Sequence, residues 1–109
     1  MTDRLQQLFS FLEKAPEESF TRYSIAYEYL RQGDLIEAEK HFLTLKNNDP
    51  DYVGLYYHLG KLYAMQENHE QAVSIYDEGL EVAARVEDSH AHGELMRARQ
   101  QAQDELEDW

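Results

Sequence analysis

Side chains of matching type recur 34 residues apart along this chain, and that interval limits the fold more than any local propensity does. Pro16 and Pro50, Tyr23 and Tyr57, Ile25 and Leu59, Ala26 and Gly60, Tyr29 and Tyr63, Ala38 and Ala72, and Phe42 and Tyr76 all keep this spacing. The punctuation repeats with them. Asp34 precedes Glu37 by three residues and Asn68 precedes Gln71 by three, an arrangement in which a cap acceptor faces a side chain able to reach back to the cap amide. A period of this size is the signature of one supersecondary unit copied in tandem, whose apolar face is buried only when neighbours stack on it.

The unit is helical. Only two prolines and five scattered glycines interrupt 109 residues, too few for a strand-and-turn architecture. Leu5, Leu8, Phe9 and Leu12 fall at the i, i+3, i+4, i+7 spacing of an apolar stripe, which predicts a first helix over residues 3–14 with Asp3 as its cap. Further helices are predicted over 16–32, stopped by Gly33, and over 35–47, 51–66 and 69–86. Ala84 stands where a third proline would fall, which lets the fifth helix run on toward Glu87. A last helix over 89–106 shows Ala91, Leu95, Ala98, Ala102 and Leu106 along one side, and the acidic end from Asp104 is expected to fray.

These positions resemble the tetratricopeptide repeat, a helix–turn–helix unit with a large residue, Leu-Gly, Tyr, Ala, an aromatic and Pro at fixed offsets. The second copy carries the pattern as Tyr56, Leu59-Gly60, Tyr63, Ala72 and Tyr76, the first as Ile25-Ala26, Tyr29, Gly33, Ala38, Phe42 and Pro50. Arg22 replaces the large aromatic in the first copy, and Glu67 replaces the turn glycine in the second. The resemblance implies an all-α fold: a right-handed superhelical stack of antiparallel helix pairs with flanking N- and C-terminal helices. It divides a single domain into a half repeat over 1–16, repeats over 17–50 and 51–84, and a capping helix with an acidic tail over 85–109. Two full repeats fall short of the roughly three that stabilise a solenoid, so the flanking helices must cover its ends.

Placing residues at about 100° per step separates two stripes on the helix after Pro50. Tyr56, Leu59, Gly60 and Tyr63 fall together and read as inter-helix packing. Tyr57, Lys61, Ala64 and Met65 lie on a second side, matched in the first repeat by Phe20, Tyr23, Tyr27, Leu30 and Arg31. In the resembling family that side lines a concave groove. Aromatic and Met side chains beside Arg and Lys are residue types that anchor partners, so the nine are the expected contacts for a peptide or protein, with Arg31 and Lys61 drawing acidic groups. Family members that clamp a chaperone's C-terminal carboxylates use Lys and Asn where this chain has Tyr23, Tyr27, Tyr57 and Lys61, which disfavours that ligand.

Charge and chemistry remove other classes. Ten basic against 22 acidic residues leave a net charge of −12, which repels nucleic acid and anionic membrane surfaces. No run reaches the roughly 18 apolar residues of a membrane span, and the start has no signal-peptide pattern, so a cytoplasmic protein is expected. Without cysteine there is no disulfide, thiolate metal site or cysteine nucleophile. His41, His58, His69, His90 and His92 lack the i, i+4 pairing of metal ligands; most should face solvent, with His69 partly packed at its helix start. No catalytic residues, metal or cofactor are expected. The reading is a non-catalytic adaptor. The alternative is a homo-oligomeric scaffold whose groove holds its own C-terminal helix, or the acidic, Trp109-ended tail of a second copy.

Overall fold

The computed structural model describes residues 2–108. Every regular element among them is an α-helix: α1 (Asp3–Lys14), α2 (Ser19–Arg31), α3 (Leu35–Asn48), α4 (Gly54–Met65), α5 (His69–Arg85) and α6 (Ser89–Glu107). The described residues form two compact units, one reaching to Tyr52 and the other starting at Val53.

In the first unit α2 packs against both α1 and α3. The α1 stripe is used as its spacing predicts: Leu5 and Leu8 are buried with Ile25, flanked by Phe9, Leu12 and Tyr29. Each such aliphatic side chain contributes about 1.5–3 kcal/mol on full burial. Thr2, not Asp3, caps α1, its Oγ1 accepting from the Leu5 amide at 3.2 Å. The second helix begins three residues later than its predicted start. Pro16 and Glu17 form a turn closed by the Glu18 amide donating to the Ala15 carbonyl at 3.0 Å, and the Glu18 carboxylate then caps α2 by accepting from the Phe20 amide at 2.9 Å. Gly33, at φ +84°, ends α2 in the left-handed region as expected. The Asp34 amide donates back to the Tyr29 carbonyl at 3.0 Å, while the Asp34 side chain accepts from the Glu37 amide at 3.3 Å to start α3.

In the second unit α5 packs against both α4 and α6, and α6 also touches α4. Two glycines allow this closeness. A Cβ at Gly60 would overlap the ring of buried Tyr76, and one at Gly79 would lie 2.6 Å from the Cβ of Tyr56. The expected role of Gly60 therefore holds. Helix α4 starts at Gly54, three residues after its predicted start, following Val53, which offers no capping side chain. The α4–α5 and α5–α6 turns repeat the closure seen after α2, with Glu67 and Glu87 both at φ 60°. Asn68 and Asp88 donate their amides to the Tyr63 and Ala83 carbonyls at 2.9 Å, and their side chains cap the next helix by accepting from the Gln71 and Ala91 amides. That third closure stops α5 at Arg85 instead of letting it continue to Glu87. Leu95, Ala98 and Ala102 bury the predicted side of α6, which stays helical through Glu107 where fraying was expected. No helix among the described residues is long and apolar enough to cross a membrane.

Candidate partner-binding faces

On α2 the predicted contacts form a ladder of rings. Tyr23 stands at its centre, stacked on Tyr27 with centroids 6.5 Å apart and planes 14° apart, and 6.4 Å from Phe20. Its inner edge meets the buried Phe42 ring at 6.4 Å, so the core holds the ladder in place. Tyr52, which the sequence reading did not select, adds a fourth ring 5.2 Å from Tyr23. Helical spacing explains the first three, since positions three and four apart share one face. Phe20 is 62% exposed and Tyr27 41% exposed, whereas Tyr23 and Leu30 are half-buried.

Arg31, expected to attract acidic groups, is engaged within its own unit. Its Nη2 donates to Glu28 Oε1 at 2.9 Å and its Nε to Oε2 at 3.4 Å, with Arg4 Nε 3.9 Å from the same carboxylate. Glu28 is only 5% exposed. The Arg31 hydrogen bond holds its carboxyl below the usual range against the opposing effect of burial. The equivalent position one period later is buried Leu62, so a break in the apolar stripe was the available signal for Glu28.

On α4, Tyr57, Lys61 and Ala64 are half-buried, and Met65 is 58% exposed. The Lys61 ammonium lies 5.8 Å from the centroid of the Tyr57 ring. Helix α6 flanks this face without closing it: Tyr57 and Lys61 line a cleft of about 260 Å³ together with Glu94, Arg97, Ala98 and Gln101. Residues 94, 97 and 101 were missed because the register of the last helix does not follow the repeat. A second cleft of about 390 Å³ shares Lys61, Ala98 and Gln101 and is also lined by His69, whose Nδ1 is buried without a hydrogen-bond partner.

The histidines differ from expectation. His90 is exposed and pairs with Glu94 at 3.5 Å, and His69 is partly packed as predicted. His41, however, is buried, stacked on Tyr29 at 5.7 Å and met edge-on by Phe9 at 5.7 Å, with Arg22 Nη1 3.1 Å from its Nδ1. Burial, followed by the adjacent Arg22 charge, pushes its pKa down. His58 is half-buried and shifted down chiefly by burial. Among the described residues no group of three His, Cys, Asp or Glu side chains is placed to hold a metal ion. The tail contact predicted for Trp109 lies outside the described residues.

A sequence model of the tetratricopeptide repeat matches residues 53–85. A search of curated proteins finds no match. Among solved structures, a tetratricopeptide repeat domain protein from Salinibacter ruber is 40% identical, with a TM-score of 0.75 over 79% of this chain and 97% of that one. The TPR2B domain of yeast Sti1, solved in a complex with pHsp70, superposes with a TM-score of 0.86 at 16% identity, over 92% of this chain and 80% of that one. A protein from Bordetella parapertussis gives 0.83 at 21% identity, over 96% and 91%. These two low-identity likenesses carry the fold alone, and the Salinibacter domain carries the lineage. The chain belongs to the tetratricopeptide repeat family, whose fold is a protein–protein interaction module and whose members are in general non-catalytic.

Proposed function

We propose that the protein is a non-catalytic adaptor that binds peptide or protein segments, the α2 face of its first unit and the α4 face of its second each offering contacts. The carrying observation is the ring ladder on α2. Phe20 and Tyr27 keep large apolar surfaces in water although Tyr23, between them, is anchored on the core at Phe42. Rigid, exposed rings of this kind bury much area on a partner at little cost in conformational entropy. The α4 face adds the Tyr57–Lys61 pair, the open cleft beside α6 and the exposed Met65. Sti1's domain is bound to pHsp70, an instance of a like fold receiving another protein. The tyrosines at the clamp positions of this chain argue for a different ligand from a carboxylate tail.

The test is selection of peptides from a displayed random library on the native chain, followed by affinity measurements on two double variants, Phe20→Ala/Tyr27→Ala and Tyr57→Ala/Lys61→Ala. Each should lose about tenfold or more, the equivalent of about 1.4 kcal/mol, with helix content unchanged. Undiminished affinity in both variants would reject the two faces.

A further inference from the structure

Within that reading, we propose that the α2 ladder receives a basic segment: arginine or lysine side chains of a partner, laid across the faces of Phe20, Tyr23, Tyr27 and Tyr52. Three rings within 5.2–6.5 Å of the central Tyr23 make with it a platform on which a planar guanidinium stacks and to which an ammonium is drawn by the ring quadrupole.

The local charge has the matching sign. The two cations carried by α2 are both committed within the unit, Arg31 to Glu28 and Arg22 beside His41. Around the ladder stand carboxylates instead. Glu18 lies at the α2 start, and Asp49 Oδ2 accepts from the Ser19 hydroxyl at 2.6 Å. Their field reaches the rings: after burial, Glu18 and Asp49 are the charges that push the Tyr52 phenol up. Glu17 and Asp51 are exposed neighbours in the chain, and the protein as a whole carries −12. At the Tyr52 end of the ladder an acidic ligand would meet repulsion from Glu18 and Asp49, whereas a basic one gains both ring contact and steering. Nucleic acid, which also stacks on rings, is repelled by the same charge.

The experiment titrates labelled peptides of alternating Arg and Ala, Lys and Ala, Gln and Ala, and Glu and Ala into the full chain at low and moderate salt. The expected order is Arg, then Lys, then Gln, with Glu weakest. Arg-peptide affinity should fall about tenfold or more in the Phe20→Ala/Tyr27→Ala variant. It should also weaken in Glu18→Gln, whose amide oxygen still caps α2. If the Gln or Glu peptide binds as tightly as the Arg peptide and is lost in the ring variant, the charge preference is overturned while the peptide-binding reading survives. If the Arg peptide binds the ring variant as well as the native chain, attraction is to the acidic surface at large and the ladder is not its seat.

Discussion

Residues 34 apart in the two units meet similar demands with different chemistry. The second unit brings helices close over glycine, with Tyr76 lying over Gly60 and Tyr56 against Gly79. The first has Ala26, Phe42, Arg22 and Leu45 at those positions. Where the second has buried Tyr56 and Ile75, the first sets Arg22 beside buried His41; where the second has buried Leu62, the first has Glu28 tied to Arg31 and Arg4. A cavity of about 450 Å³ lies beside Arg22, lined also by Pro16, Ser19 and Leu45. A repeat period therefore specifies geometry, not interior polarity: a buried carboxylate is tolerated where Arg31 of the same helix, with Arg4 of α1 behind it, supplies counter-charge, and a buried imidazole where Phe9 and Tyr29 supply rings.

Swapping residues between the units tests that contrast, and the glycines should give the largest effects. Gly60→Ala and Gly79→Ala should each destabilise by about 1–3 kcal/mol, because the added Cβ meets packed Tyr76 or Tyr56. Ala26→Gly, the reverse change in the first unit, should cost about 1 kcal/mol through helix propensity, with a smaller addition for the loss of one buried methyl. Urea unfolding of the three variants checks both; equal costs throughout would mean that close packing over glycine is not what sets the second unit apart.

Gly33 and its counterparts come next. Glu67 and Glu87 hold the left-handed conformation that Gly33 adopts freely, so Glu67→Gly and Glu87→Gly should each raise stability by up to about 1 kcal/mol. A fall in melting temperature would show that the glutamates make compensating contacts.

Smaller still is the effect expected of Glu28→Leu, which installs the second unit's residue. The arginines it releases are largely exposed, so no buried charge is stranded, and stability at pH 7 should change by less than about 1 kcal/mol. A loss of several kcal/mol in calorimetry would make the Glu28 pairs a structural requirement.

The most subtle effect is in pH dependence. His41 has a lowered pKa when folded, so the unfolded chain takes up its proton first. Stability from this group is complete above the ordinary pKa of 6.5 and declines as pH falls through the interval below it. His58 acts in the same direction in the second unit. His41→Gln keeps an acceptor for Arg22 and should flatten, without abolishing, the slope of stability between pH 6.5 and 5; an unchanged slope would mean His41 does not contribute.

Much of this was legible in the residues because it rests on short-range rules. The 34-residue interval, Gly33, the caps at Asp34 and Asn68, and the α1 stripe all follow from local spacing. The late starts of α2 and α4 were not legible, since a proline shows where a helix cannot continue but not how many residues the next turn consumes. The burial of Glu28 depends on α1 lying beside it, and that of His41 on rings from two other helices, so no window of sequence displays either packing, although Leu62 one period later marks the position of Glu28 as an interior one. On the candidate face, helical spacing selected Phe20, Tyr23 and Tyr27. Tyr52 escaped because its position is set by the turn after Pro50.

The most direct test of the central claim is an amide chemical-shift map of the full chain titrated with a library-selected peptide. The account predicts perturbations concentrated on α2 from Phe20 to Leu30 with Tyr52, or on the Tyr57–Met65 face of α4, according to which face the peptide was selected on. Perturbations confined to the exposed Ile36 and Leu43 side of α3, with α2 and α4 unmoved, would contradict it.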